Sequence, residues 1–340
     1  MPTWDELSEA ERAAAMADKA RGDPNREIIE RYGITNPESA MRRLRGRLRQ
    51  RRGELGDPDE VDNAQAIGVL EAWQEYQRKL QAMRQQGRRD ETSIEVQDTK
   101  PIGIAFPADR HIGGEGTDHD AMMEHVKLLS ETRGMYVIEG GDAVDNLIVP
   151  KFQDMGAANL AVDAQYAVYA EILRRLKPLC ICHGNHDGWS TKYAGVDVLA
   201  GIADKLKLIC AAPATRIDLR VGDQSYVIYR THKSRYNSAF NLTHAVKRLW
   251  DMGPCDWDIG IVEHNHLPAM EVFYRHGEPK IALRPGTYKT RDARAMSEGF
   301  FGARIGVPIV FLWPNERRVQ AWQEVDDVAG ACKYLAWLRK

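Results

Sequence analysis

From residue 102 onward, short apolar runs alternate with amphipathic stretches, and five of the runs in succession end on a carboxylate, an amide or an imidazole. The runs are 102–106, 135–139, 179–183, 226–229 and 259–262. Behind them come Asp109-Arg110-His111, Gly140-Gly141-Asp142, Gly184-Asn185-His186-Asp187, Thr231-His232 and His264-Asn265-His266. Strand–helix alternation implies an α/β architecture, and in such sheets ligands bind beyond the carboxyl ends of the strands. One polar strand end is common. Five that all carry metal-type ligands are hard to obtain by chance. Helices are expected at 119–132, 159–176, 195–205 and 239–252, and further strands at 280–283, 308–313 and 319–324. The last two read as a hairpin at a sheet edge, closed around Pro314-Asn315-Glu316.

These residue types answer a physical need. Two divalent cations held roughly 3.5–4 Å apart clamp a phosphate and activate a water between them. A shared carboxylate is the simplest bridge, and Asp142 suits it, following two glycines that let the backbone turn tightly. Mixed nitrogen and oxygen donors favour manganese first, with iron or zinc as alternatives, over calcium or magnesium cages. With only two carboxylates in the set, two dications leave the site net positive and attractive to a phosphate oxyanion.

The series Asp-x-His, Gly-Asp, Gly-Asn-His-Asp, His and His-x-His, in that order over 109–266, resembles the calcineurin-like metallophosphoesterase superfamily. Its Gly-Asn-His-Asp form is nearest to the nuclease subunit of double-strand-break repair complexes. The resemblance implies a sandwich of two β-sheets flanked by helices. It implies that Asp109, His111 and His266 bind one metal and that Asn185, His232 and His264 bind the other, with Asp142 bridging. His186 then is the non-ligand imidazole that stabilises the phosphorane or protonates the leaving oxygen, and Asp187 orients it. One position departs from the family pattern. Glu263 stands where glycine usually precedes the last His-x-His. Glu263 is either a partner to a ligating imidazole or a strand end pointing away, and the second reading is the one expected.

Around this core, Arg110, Lys289, Arg291 and Arg294 are candidate phosphate contacts, against the alternative of outward-facing or ordinary loop charges. Asp145 is read as the cap of a turn and His183 as a strand-end histidine. Trp189 and Tyr193 either stack a base or close the core.

Composition shifts near residues 90–100, which divides the chain into a small all-α module, 1–95, and a metallophosphoesterase domain, 96–340. In the module, a short helix at 25–32, a turn through Gly33 and a second helix at 38–52 resemble a helix-turn-helix. Residues 41–52 hold seven arginines and no acid. Arg42, Arg43, Arg45 and Arg47 are therefore either nucleic-acid contacts or part of a solvated or subunit-contact face. An acidic linker at 54–62 precedes a helical stripe of Val69, Trp73, Tyr76, Leu80 and Met83. That stripe packs on the catalytic domain or on a partner helix, which leaves a homodimer through the N-terminal helices open.

Net charge is −2, so any field for nucleic acid must come from local segregation. No apolar run approaches the ~18 residues that span a bilayer, and the acidic start does not read as a signal peptide. Five scattered cysteines suit reduced thiols and a cytoplasmic setting. The expected activity is metal-dependent hydrolysis of phosphodiesters in nucleic acid. The alternatives are a phosphatase or small-molecule phosphodiesterase, and a non-catalytic nucleic-acid-binding protein on the same fold.

Overall fold

The computed structural model describes residues 7–21, 89–149, 160–238, 240–292 and 302–340, with residues 31, 73–75, 77, 78, 296 and 299 besides. The chain forms two compact units, Met1–Lys79 and Leu80–Lys340. In the first, helix α1 (Glu9–Arg21) opens on a reciprocal cap. Ser8 Oγ accepts from the Glu11 N–H at 3.3 Å, and the Glu11 carboxylate accepts from the Ser8 N–H at 2.8 Å. The segment with Arg42, Arg43, Arg45 and Arg47, the linker 54–62 and all of the helical stripe except Trp73 lie outside the described residues.

The second unit carries, in chain order, β1 (Arg89–Val96), β2 (Ile102–Ala105), α2 (His119–Glu131), β3 (Met135–Glu139), α3 (Val162–Leu176) and β4 (Cys180–Cys182). Then come α4 (Asp187–Ala194), α5 (Val198–Leu206), β5 (Ile209–Val221), β6 (Gln224–Thr231), α6 (His244–Met252) and β7 (Ile259–Val262). It closes with β8 (Ala269–Arg275), β9 (Glu278–Arg284), β10 (Ile309–Leu312), β11 (Val319–Ala321) and α7 (Val328–Leu338). Because β1 pairs in parallel with β5, this unit begins upstream of residue 96, where composition alone placed the boundary.

The strands form one hydrogen-bonded ladder in the order β11-β10-β2-β3-β4-β5-β6-β7-β9-β8, with β1 alongside β5. In a flat sheet, β10 and β6 would lie about 24 Å apart at ~4.8 Å per strand. Yet the Tyr226 hydroxyl at the start of β6 donates to the Trp313 carbonyl, just past β10, at 2.9 Å. The ladder therefore folds back on itself. Ile104 and Leu312 of one half pack in a single core with Ile228, Ile261 and Leu283 of the other. The two sheets implied by the resemblance are two halves of one continuous ladder.

The fold-back runs through β5. Its first residues pair with β4 as far as Ala211, and from Ala214 it pairs with β6. Between them stands Pro213, whose missing N–H costs nothing where pairing lapses. Here His183 N donates to the Ala211 carbonyl at 3.2 Å and His232 N to the Pro213 carbonyl at 2.7 Å. The carboxyl ends of β4 and β6 are thus brought to one place. Apolar faces of α2, α3, α5 and α7 cover the outer side of one half through Val126, Leu173, Ala203 and Leu335. On the other half, Val246 of α6 packs with Trp257. Among the described residues no helix is long and apolar enough to cross a membrane.

Candidate metal centre

Five strand ends converge. β2 delivers Asp109 and His111, β3 Asp142, β4 Asn185 and His186, β6 His232, and β7 His264 and His266. Donor atoms of Asp109, His111 and His266 lie within 4.8 Å of one another. So do those of Asp109, Asp142, His232 and His264, and those of His111, Asp142 and His186. Asn185 Oδ1 lies 3.1 Å from His232 Nε2, which places the amide in the same cluster. All seven ligands expected from the sequence are brought together, and Asp142 is common to two of the three groups.

The backbone that presents them is strained. Asp109 (φ 49°), His111 (45°), Asp142 (56°), His264 (76°) and His266 (58°) are all left-handed. Such a conformation costs a non-glycine residue about 1–3 kcal/mol and persists only where its surroundings hold it. Here they do. The Asp109 carbonyl accepts from the Thr287 hydroxyl at 2.7 Å, and His111 N donates to the Asp142 carbonyl at 3.1 Å. Two glycines make the approach possible. A Cβ on Gly184 would meet Asp142 N at 2.2 Å, and one on Gly141 would meet Gly184 Cα at 2.4 Å.

The carboxylates are half used. Asp109 is 0% exposed and Asp142 1%. Asp109 Oδ2 accepts from His264 N at 3.2 Å, and Asp142 Oδ1 accepts from His186 N at 2.8 Å. Their other oxygens are buried against imidazole nitrogens, Asp109 Oδ1 3.3 Å from His266 Nε2 and Asp142 Oδ2 3.1 Å from His232 Nε2, neither aligned as a hydrogen bond, and His264 Nδ1 is buried without a hydrogen-bond partner. Buried polar atoms without an aligned hydrogen bond are costly, and within the cluster they share one chemistry, that of metal donors. Two imidazole nitrogens, His111 Nε2 and His266 Nε2, also meet at 3.2 Å, where at most one proton fits between them. The residues fit divalent ions. Electrostatics agree: although burial opposes ionisation, the His232 and His186 charges hold Asp142 well below the usual carboxylate range.

Behind the ligands stand side chains that the sequence reading weighed and set aside. Glu263 does not point away. Its carboxylate, 3% exposed, lies 3.0 Å from His232 Nδ1, accepts from Gly141 N at 2.9 Å and pairs with the buried Arg230. A Cβ on Gly140 would meet Glu263 Oε1 at 2.7 Å, so glycine there makes room for the acid. Asp145 faces a ligating imidazole and a lysine. Its Oδ1 sits 3.0 Å from His111 Nδ1 and 2.8 Å from Lys289 Nζ. Spacing was the available signal: Asp145 lies one short turn past Asp142, as a carboxylate behind a ligand would.

Three expected roles change. Asp187 does not reach the His186 ring. It is buried and accepts from Asp142 N and Gly184 N, each at 2.8 Å, and from Ala143 N at 3.2 Å, clamping the β3 and β4 turns together. Burial and the Asp142 charge raise its pKa to about 6. The His186 ring is set instead by the Asp145 carbonyl, 2.5 Å from Nδ1, and by Trp189, whose ring lies 4.0 Å away. Arg110 is no rim residue. It is buried in a two-pronged pair with Glu139, at 2.8 and 2.6 Å, because a desolvated guanidinium needs a carboxylate. Lys289 is likewise buried and paired with Asp145, and so is not a free phosphate contact. Arg291 is exposed, and Arg294 lies outside the described residues.

No protein-family model and no curated protein matches the chain. Among solved structures it is similar to vacuolar protein sorting 29 from Cryptosporidium parvum at 13% identity, with a TM-score of 0.36, over 66% of this chain and 100% of that one. It is similar to the calcineurin-like phosphoesterase YfkN from Bacillus subtilis at 10% identity, with a TM-score of 0.36, over 72% of this chain and 100% of that one. The Pseudomonas putida nuclease MPE is matched at 14% identity, with a TM-score of 0.29, over 64% of this chain and 87% of that one. Likenesses of this size carry no function across to the chain.

Proposed function

We propose that the chain is a two-metal phosphoesterase that hydrolyses phosphodiester bonds, with nucleic acid as the substrate class and manganese as the metal. One observation carries the reading. Asp109 Oδ1, Asp142 Oδ2 and His264 Nδ1 are buried without an aligned hydrogen bond and gathered with four further donors at the carboxyl ends of five strands.

Asp109, His111 and His266 would hold one ion and Asn185, His232 and His264 the other, with Asp142 shared. When bound, the ions supply Lewis acidity and an activated water. The chain's own residues do the rest. Asp145 orients His111 through Nδ1, and Glu263 orients His232 in the same way, so both rings turn Nε2 inward. His186 commits Nδ1 to the Asp145 carbonyl, which leaves Nε2 as the atom that holds a proton for the leaving oxygen. Asp187 keeps the Asp142 and Gly184 turns at their close spacing.

Nucleic acid is favoured by the arginine run 41–52 and by the Gly-Asn-His-Asp form of the signature. The decisive assay compares a chromogenic phosphodiester with the matching monoester, and DNA with RNA, each with manganese and with a chelator. The reading expects a higher kcat/KM for the diester and no turnover in chelator. A clear preference for the monoester would replace it with a phosphatase.

A further inference from the structure

Between Asp223 and Asp251 the chain has no acidic residue, although it holds 49 acids in 340 positions. This stretch runs through His232 and into the loop that joins β6 to α6. The loop carries Lys233 and Arg235, both exposed. Neither has a carboxylate partner among the described residues, whereas Arg230 is paired with Glu263 and Lys247 with Glu271. Phe240, at 103%, is the most exposed large apolar side chain among the described residues and has no part in any core. Tyr236 beside it is held against α6, with the Arg248 guanidinium 5.5 Å over its ring.

Beneath the loop lies Arg284, at the end of β9. It is 2% exposed, and its Nη1 donates to the Leu242 carbonyl at 2.8 Å. Arg110 and Arg230 are equally buried, and each has its own carboxylate. Arg284 has none among the described residues. Leu283 pairs with Ile261 of β7, so Arg284 follows beside the turn that leads to His264 and His266.

Unpaired cations leading away from a phosphate-cleaving centre, with a bare aromatic ring beyond them, match a polyanion that offers flat π faces. A duplex hides those faces in its stack, whereas a single strand exposes them. We propose that the β6–α6 loop is the track by which a single-stranded polynucleotide reaches the metal centre, with Lys233 and Arg235 on its phosphates, the buried charge of Arg284 beneath them, and Phe240 under a base. The inference rests on the reading of the centre as a nucleic-acid phosphodiesterase.

The test is binding of labelled oligodeoxythymidine and of a duplex of equal length to the full chain, in chelator so that nothing is cut, over a salt series. The unmutated protein is expected to prefer the single strand. Lys233→Ala with Arg235→Ala should lose about 1.4 units of the log–log salt slope, at ~0.7 per phosphate contact. Phe240→Ala should weaken binding roughly 5- to 100-fold, and Phe240→Tyr should restore it. Lys205→Ala with Lys207→Ala, at the far end of α5, serves as the charge control and should lose much less. Unchanged affinity in the loop variants, an equal loss in the control, or a preference for duplex would overturn the track. Hydrolysis of a small chromogenic diester by the unmutated protein with manganese is measured alongside. If that hydrolysis occurs while the loop variants bind normally, the track fails and the phosphoesterase stands. If it is absent while binding remains loop-dependent, the converse holds.

Discussion

Glu263 stands where glycine is usual in the family this chain resembles, and its carboxylate serves His232, Arg230 and Gly141 N together. Removing it should act twice. Glu263→Ala leaves Arg230 buried without its acid, at a cost of about 3–5 kcal/mol, which denaturant unfolding reads directly. It also frees the His232 ring, so metal affinity by calorimetry should fall roughly 10- to 100-fold. Glu263→Gln keeps the volume and should show the metal effect with less loss of fold; wild-type metal affinity in both variants would remove Glu263 from the site. At His186 the expectation is the opposite. His186→Ala should leave metal content nearly unchanged and lower kcat by roughly 10²–10⁴-fold. Loss of metal would make this imidazole a ligand, a reading its closeness to His111 and Asp142 keeps in view. Lys289, buried against Asp145, should act through His111. Lys289→Ala is expected to change kcat/KM by the same factor on a polynucleotide and on a small diester, and a selective loss on the polynucleotide would return it to the substrate surface.

The elements explain why so much of the site was legible and why the rest was not. The candidate ligands follow five successive short buried strands, and it is that repetition of metal-type side chains that marks Asp109, Asp142, His232 and His266 in the sequence. Side chains behind them are ordinary carboxylates in ordinary contexts, and only three dimensions show that Asp145 faces His111 rather than a turn. Among the strands, β1 alternates buried Thr92, Ile94 and Val96 with exposed neighbours, a period-two signal masked by its many charges. β5 was missed because Pro213 breaks the apparent run, although Ile217, Leu219 and Val221 alternate inward beyond it. β8 pairs along one side only, with β9, and carries Val272 and Tyr274 outward, so burial left little pattern. The β3 and β4 turns, by contrast, were marked by their glycines, and the marking has a sharp consequence. Gly184→Ala would drive a methyl to 2.2 Å from Asp142 N, against backbone that cannot yield. Overpacking of this kind costs typically 1–3 kcal/mol and sometimes more, so thermal unfolding should drop by roughly 2–12 °C. Wild-type stability with full metal binding would show that the two turns are not in contact.

At the scale of the whole second unit, one hydrogen-bonded ladder is folded at Pro213 so that strand ends from both halves meet, and the meeting point concentrates strain and unpaired polarity. Five left-handed candidate ligands and three buried donor atoms without an aligned hydrogen bond are a standing cost to the folded chain in the absence of ions. Bound ions offset that cost only in the folded state, because the donors are scattered over 109–266 and gather only when the ladder closes. Stability should therefore depend on metal by mass action. At ~100 times Kd, one bound ion adds about 2.7 kcal/mol. For a domain of this size that corresponds to roughly 5–10 °C in Tm between manganese and chelator. Asp142→Asn weakens the carboxylate common to two of the three donor groups, so most of the shift should disappear in that variant even though its metal-free Tm stays close to wild type or rises. His186→Ala keeps the donors and should retain the shift. A Tm indifferent to manganese in the unmutated protein would mean that the buried oxygens of Asp109 and Asp142 do not answer to a cation, and the proposed centre would fall with them.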